Sequence, residues 1–232
     1  MTKRIGLITG ASRGIGLATA LRLARAGYAI VAVARREPDL AAAAEQIRAA
    51  GADCATIAAD LGTAREAGRI IDAAVQRFGR VDVLVNNAGC APLAPIERFE
   101  PAEFERVCAL NMAAVFHTTR AVWPVMTQQG DGVIVNLSSL ASLDPFPGFA
   151  VYGASKAWVN LFSQAMAAEG KSHGIRVFAV APGAVETGML RAAFPDFPAE
   201  KTLAPDAVAA VIASLCQPAL AACSGQTLCV RK

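Results

Sequence analysis

The sequence predicts an α/β protein, a single domain in which a doubly wound sheet of seven parallel strands is flanked by helices. Short β-like runs alternate with long helical patterns along the chain, as is typical of elements that feed a parallel sheet. Several runs, such as 81–85 and 133–135, are almost continuously apolar, as expected for strands covered on both faces. A chain of 232 residues has the length at which one domain buries a large core, so we expect one domain over residues 1–232.

The elements are predicted in a regular order. Each strand is a short, mostly apolar run that ends in small or polar residues, and each helix is a longer segment with a helical apolar pattern. The strands are expected at 4–9, 29–34, 54–58, 81–86, 132–137, 176–181 and 226–230. The helices are expected near 15–26, 39–50, 63–78, 101–128, 151–169 and 205–216.

Composition excludes several kinds of partner. The formal charge is +3 and no run of lysine and arginine is longer than a pair, so we expect neither nucleic acid nor a membrane as partner. The apolar run at 5–8 is too short for a signal peptide, which favours a cytoplasmic protein. The six cysteines show neither a Cys-x-x-Cys pair nor companion histidines, which predicts free thiols and no metal site. The high apolar content of 54% indicates buried surfaces in a homo-oligomer, a tetramer or a dimer.

A glycine-rich turn follows the first strand, where residues 9–16 read TGASRGIG. Glycine lets the backbone approach a ligand, and the N-terminus of the next helix offers free N–H groups to a pyrophosphate. The turn therefore predicts a dinucleotide site, although a tight βα turn without a ligand is the competing interpretation. The expected contacts are Gly10, Ser12, Arg13, Gly14, Ile15 and Gly16.

The second strand ends in Arg35 and Arg36, where a carboxylate would be expected in a site for NAD. A guanidinium there would pair with the 2′-phosphate of NADP, and Arg13 could supply a second cation. Glu37 follows closely, and the arginines could instead be solvated surface residues. We therefore expect NADP(H) to be preferred over NAD(H).

Strands 3 and 4 also end in residues suited to a cofactor. Asp60 and Leu61 follow strand 3, where Asp60 could accept a hydrogen bond from an adenine amino group. Asn87, Ala88 and Gly89 follow strand 4, and their small and polar side chains would allow a cofactor to approach closely. A plain loop explains the second segment equally well.

Two polar residues precede the most distinctive motif. Asn111 lies on an apolar stripe of the helix predicted over 101–128, and an unsatisfied buried amide costs about 1–3 kcal/mol. It could therefore hold a water, a backbone carbonyl or a helix kink. Ser139 follows the buried strand 132–137, where its hydroxyl could bind a substrate oxygen or, like Ser138, turn the chain.

Tyr152 and Lys156 are four positions apart, on one face of the next predicted helix. A phenol titrates near pH 10, too high for proton transfer at neutral pH, and a neighbouring ammonium would lower that pKa. The spacing therefore predicts that Tyr152 acts as an acid or base, although most such pairs are ordinary helix-surface contacts.

The last strands complete the predicted site. Pro182, Gly183, Val185 and Thr187 follow strand 6 and could present backbone groups and a hydroxyl to a nicotinamide amide. The segment 188–203 is short and carries two prolines, so we expect an open pocket.

In this order and spacing, the motifs closely resemble the classical short-chain dehydrogenase/reductase family. The resemblance rests on Thr9-Gly-x-x-x-Gly-x-Gly16, Asn86-Asn-Ala-Gly89, Asn111, Ser139, Tyr152-x-x-x-Lys156 and Pro182-Gly183, which span nearly the whole chain. It implies a Rossmann-type fold with the strand order 3-2-1-4-5-6-7. The short segment 188–203 and the early end of the chain after the last strand depart from the family pattern.

By this resemblance, Tyr152 protonates a carbonyl oxygen during reduction or accepts the alcohol proton in reverse. Lys156 lowers the Tyr152 pKa and binds the nicotinamide ribose, Ser139 holds the substrate oxygen, and Asn111 anchors a relay water.

The resulting hypothesis is an NADPH-dependent oxidoreductase that acts on a carbonyl compound or secondary alcohol. A 3-oxoacyl-thioester reductase is the leading alternative within the same chemistry. A non-catalytic, nucleotide-sensing relative is the alternative outside it.

Overall fold

The computed structural model describes residues 3–232, so residues 1 and 2 of the predicted domain lie outside the described residues. It contains one seven-stranded parallel sheet in the order 3-2-1-4-5-6-7, which confirms the predicted fold class. The strands are β1 (Ile5–Thr9), β2 (Ala29–Ala34), β3 (Cys54–Ala58), β4 (Val83–Asn86), β5 (Gly132–Leu137), β6 (Ile175–Pro182) and β7 (Thr227–Val230).

Helices cover both faces of the sheet. Because each strand presents alternate side chains to opposite faces, the apolar strands build two cores. One core packs β1, β2 and β6 against α1, α2 and α8, and the other packs the opposite faces against α3, α5 and α6. The helices are α1 (Gly14–Arg25), α2 (Glu37–Ala49), α3 (Ala64–Phe78), α4 (Pro101–Val107), α5 (Ala114–Gln129), α6 (Ala150–Gly170), α7 (Gly188–Ala193) and α8 (Pro205–Leu215).

The prediction of a single helix over 101–128 is wrong in one respect. A π-helical segment, Cys108–Ala113, separates α4 from α5. A π-turn adds a residue to the helical turn and is frequently found at functional sites. Its one fully buried residue is Asn111, whose side chain is held by partners outside the helix, as described below.

The parallel arrangement places the predicted motifs at one edge of the sheet. The carboxyl ends of β1, β4, β5 and β6 lie side by side, because these strands are neighbours in parallel register. Within residues 3–232, no helix is long and apolar enough to cross a membrane.

Candidate functional site

A cavity of about 1220 Å³ opens at the carboxyl edge of the sheet. The glycine-rich turn, the ends of β2, β4, β5 and β6, and the first turns of α6 line it. Most of the predicted site residues are among its lining: Gly10, Ser12, Arg13, Gly14, Ile15, Arg35, Arg36, Leu61, Asn87, Ala88, Gly89, Ser139, Tyr152, Lys156, Pro182, Gly183, Val185 and Thr187. Gly16, Asp60 and Asn111 are not.

The glycine-rich turn has the form of a phosphate cradle. Gly10 and Gly14 have φ values of +64° and +57°, a conformation that favours glycine. The helix α1 begins at Gly14, and no side chain caps its first turn. Its first N–H groups therefore have no intrahelical partner, and Gly14 and Ile15 line the cavity, which fits the pyrophosphate of a dinucleotide.

Gly16 was expected to contact a ligand, and in the structure it allows close packing of the backbone. A Cβ at this position would lie 2.3 Å from the Gly10 carbonyl oxygen and 2.5 Å from Asn87 Nδ2. Asn87 Nδ2 in turn donates to the carbonyl oxygens of Thr9 at 2.9 Å and Gly10 at 3.2 Å. The absent side chain thus lets α1, the turn and the end of β4 meet.

Asp60, the acidic residue expected at the adenine, follows β3 beside the cavity, and its contact with adenine stays a prediction. Asp60 is exposed and does not line the cavity, whereas its neighbour Leu61 does. The three arginines all reach the cavity. Arg36 pairs with Asp39 at 3.6 Å, and Arg13 and Arg35 have no ion-pair partner within residues 3–232.

Tyr152 and Lys156 are both buried on the cavity side of α6. Lys156 Nζ donates to the Leu137 carbonyl oxygen at 2.7 Å and lies 5.8 Å from the centre of the Tyr152 ring. Burial raises the pKa of the Tyr152 phenol, and its hydrogen bond with Ser139 opposes that rise. Desolvation outweighs this hydrogen bond, so the net direction is upward, and a lowering of the Tyr152 pKa by Lys156 stays a prediction.

The two serines after β5 divide their roles differently from the prediction. Ser138 Oγ donates to the Lys156 carbonyl oxygen at 3.1 Å and so ties β5 to α6. Ser139 Oγ accepts from Ala141 N at 3.2 Å and caps the short 3-10 turn that follows. Ser139 also lines the cavity beside Tyr152, so capping and ligand contact are compatible at this residue.

Asn111 forms a buried clamp between three segments. Its Oδ1 accepts from Cys90 N at 2.9 Å, and its Nδ2 donates to the Cys90 carbonyl oxygen at 2.9 Å. Nδ2 also donates to Ser155 Oγ at 3.1 Å. The side chain thus joins the loop after β4 to the start of α6, and a relay water at Asn111 stays a prediction.

Lys156 makes the stability of the protein depend on pH. Burial lowers its pKa from 10.5 to about 8. Below pH 8 the amine is charged in both folded and unfolded chains, so the full desolvation penalty is present. Between about pH 8 and 10.5 the folded chain loses this proton first, and the penalty is progressively relieved.

We therefore expect Lys156→Met to raise the free energy of unfolding above that of the parent, chiefly at neutral pH. This gain should shrink by about 3 kcal/mol as the pH rises through that window. Urea unfolding of both proteins at several pH values measures it. Lys171→Met, at an exposed lysine after α6, controls for the loss of one charge. A stability gain in Lys156→Met that does not change with pH would contradict the prediction.

An aromatic cluster lies beside Tyr152, and the sequence predicts only part of it. Phe194 and Phe197 come from the segment 188–203, whose apolar character the sequence shows. Phe146 and Phe149 come from the loop after β5 and both pack against Phe194. Phe149 also packs against Tyr152. The sequence signal for the missed part is the presence of two phenylalanines in a proline- and glycine-rich loop just before Tyr152.

The segment 188–203 is held in place by internal contacts, and the open pocket expected there stays a prediction. Arg191 pairs with Glu186, with Nε 2.8 Å from Oε1. Its guanidinium also donates to the carbonyl oxygens of Pro195 and Phe197. Leu203 is bonded to the backbone on both sides of Val185, so the segment is fixed at its end and across its middle.

Comparison with known proteins agrees with this arrangement. Residues 4–197 match the family model for short chain dehydrogenases. The chain is 39% identical over 190 residues to a 3-oxoacyl-[acyl-carrier-protein] reductase of Synechocystis sp., which covers 82% of this chain and 77% of that protein.

Two solved structures share the whole fold. A 3-ketoacyl-(acyl-carrier-protein) reductase of Brucella melitensis, complexed with NADH, has a TM-score of 0.91 and 34% identity, covering 98% of this chain and 96% of its own. A variant of actinorhodin polyketide ketoreductase with NADPH has a TM-score of 0.93 and 32% identity, covering 99% of this chain and 96% of its own. The matched family model, the sheet order and the relatives' names agree: the chain belongs to the short chain dehydrogenase family of oxidoreductases, whose members act on carbonyl and alcohol groups.

Proposed function

We propose that this protein is an NADPH-preferring reductase that converts a ketone to a secondary alcohol, with Tyr152 as the proton donor. The observation that carries the proposal is that Ser139, Tyr152 and Lys156 line the same cavity as the glycine-rich turn. A nicotinamide bound in that cavity would supply the hydride. The protein supplies the proton and holds the substrate.

The site residues have complementary roles in this proposal. The Ser139 hydroxyl donates to the carbonyl oxygen of the substrate, and the Tyr152 phenol donates its proton to the same oxygen as it becomes an alkoxide. Because burial raises the pKa of Tyr152, the phenol is protonated at neutral pH, as reduction requires. Lys156, whose Nζ lies 5.8 Å from the centre of the Tyr152 ring, would bind the ribose of the nicotinamide.

The remaining site residues are proposed to hold the cofactor. The turn from Gly10 to Ile15 takes the pyrophosphate, and the loop Asn87, Ala88 and Gly89 lies along its path. The residues after β6, including Pro182, Gly183, Val185 and Thr187, face the nicotinamide end. Leu61 covers the adenine, and Asp60 beside it accepts a hydrogen bond from the adenine amino group.

We propose that Arg35 and Arg13 select NADPH through its 2′-phosphate. Arg35→Ser should lower kcat/KM for NADPH by about tenfold or more, because it removes a charge-assisted contact, and should leave kcat/KM for NADH nearly unchanged. Initial rates with the two cofactors measure this ratio. Arg25→Ser, at an exposed arginine at the far end of α1, is the matched control, and an equal loss with both cofactors would argue against phosphate selection.

The second candidate is a 3-oxoacyl-thioester reductase, which is favoured by the name of the Synechocystis relative and of one structural neighbour. It uses the same residues and differs only in the body of the substrate. NADPH consumption across ketones, aldehydes and 3-oxoacyl thioesters tests both candidates. Absence of turnover across the whole panel would contradict the reductase proposal.

We also propose a homodimer or homotetramer in the cytoplasm. Exposed Phe104, Phe116 and Leu161 on α4, α5 and α6 support a subunit contact, since exposed large apolar side chains are often interface residues. The free thiols of all six cysteines support a reducing compartment.

A further inference from the structure

The substrate side of the cavity is bounded by three segments that contact one another. They are the loop after β4 (91–98), the loop after β5 (140–149) and the segment after β6 (186–203). Ala94 N donates to the Gly148 carbonyl oxygen at 3.2 Å, and Phe146 packs against Phe194 with ring centres 5.8 Å apart. We call these three segments the rim.

The rim carries an aromatic cluster that leads directly to Tyr152. Phe146 and Phe149 are stacked, with ring centres 4.5 Å apart and an angle of 25° between their planes. Phe149 meets the Tyr152 ring edge-on at 5.1 Å, and Phe194 lies 5.8 Å from both phenylalanines. A cluster of aromatic rings, in which Phe146 and Phe149 are stacked, therefore reaches the proposed proton donor.

The outer part of the rim is apolar and exposed to solvent. Phe146 is 46% exposed although it belongs to the aromatic stack. Four further large apolar residues of the rim are also exposed: Leu93, Ile96, Leu143 and Met189. Of these five residues, Phe146 and Met189 also line the cavity. Exposed apolar surface that continues into a cavity is typical of a binding site for an apolar ligand.

The charge of the rim disfavours an anionic substrate. Its residues in the cavity lining include two carboxylates, Asp144 and Glu186, and no lysine or arginine. The basic residues of the lining lie elsewhere, after β1, β2 and β7 and in α6. A carrier-protein or coenzyme A thioester brings phosphate groups to the mouth of the site, where the rim residues that line the cavity include no cation. Arg98 and Lys201 of the rim lie outside that lining, and Arg191 is paired with Glu186.

We infer that the substrate is a neutral ketone with a flat, aromatic ring body that packs against Phe146 and Phe194. This inference rests on the proposed reductase function and names the substrate class for that site. The ketone oxygen reaches Ser139 and Tyr152, and the ring body extends the stack toward the exposed rim. An aromatic contact contributes binding free energy beyond that of the apolar area it buries. Ring ketones should therefore be preferred over alkyl ketones of equal size.

The test compares three substrates with NADPH: acetonaphthone, a straight-chain methyl ketone of the same carbon count, and acetoacetyl coenzyme A. We expect kcat/KM for acetonaphthone to exceed that for the alkyl ketone about tenfold, the factor that an ordinary aromatic pair contributes. The thioester should be the poorest of the three.

Phe146→Leu and Phe194→Leu remove a ring and keep an apolar side chain. Each should lower kcat/KM for acetonaphthone about tenfold and change that for the alkyl ketone by less than about twofold. Phe78→Leu is the matched control, because Phe78 is the partly exposed last residue of α3 and does not line the cavity. Thermal unfolding of all variants checks that they are folded.

The outcomes separate this inference from the proposed function. Equal or faster reduction of the alkyl ketone or the thioester, lost in Tyr152→Phe, would uphold the reductase and overturn the ring-ketone assignment. An aromatic preference that survives in both rim variants would also overturn it. Failure of all three substrates would overturn the reductase function and the inference together.

Discussion

Replacing Tyr152 by phenylalanine is expected to lower kcat/KM for ketone reduction about a thousandfold, the contribution typical of a positioned general acid. The substitution removes one hydroxyl and leaves the ring in its contact with Phe149. The dissociation constant of NADPH should change by less than about threefold, because the phenol acts on the substrate oxygen. Steady-state rates and NADPH fluorescence titration give the two quantities.

The chain offers a matched control for this variant. Tyr28 is its other tyrosine, buried just before β2 at the opposite edge of the sheet. Its hydroxyl has no hydrogen-bond partner within residues 3–232. Tyr28→Phe should therefore retain full activity, and a Tyr152→Phe variant with a tenth or more of the parent rate would show that another group supplies the proton.

Replacing Gly16 by alanine is expected to have the second largest effect. The new Cβ would meet the Gly10 carbonyl oxygen and the Asn87 amide, neither of which can retreat without moving the turn. We expect a loss of about 2 kcal/mol in the free energy of unfolding. We also expect kcat/KM to fall about a hundredfold, because the displaced turn no longer positions the cofactor.

Urea unfolding and steady-state kinetics measure the two effects. Gly68→Ala is the control, since Gly68 lies within α3 and its added Cβ would meet no atom within 4 Å. In a helix interior that exchange should instead stabilise the protein by about 0.5–1 kcal/mol. Normal NADPH kinetics in Gly16→Ala would mean that the turn tolerates the clash by local movement.

The sequence by itself determined the fold and the place of the site. Apolar runs and helical patterns predict a parallel sheet, and the carboxyl ends of parallel strands share one edge. The glycine-rich turn, Asn87, Ser139 and Gly183 each follow a predicted strand, so their convergence on one cavity could be predicted. The spacing of Tyr152 and Lys156 likewise required only the helical repeat.

Properties that depend on contacts between distant segments were decided by the tertiary structure alone. Asn111 is a clamp because the π-helical segment brings it to the Cys90 backbone. Gly16 has no room for a side chain because Gly10 and Asn87 pack against it. Phe146 and Phe194 form one wall although nearly fifty residues separate them. Burial also sets the pKa of Tyr152 against the direction that its spacing from Lys156 predicts, since desolvation depends on everything packed around a group and not on its sequence neighbours.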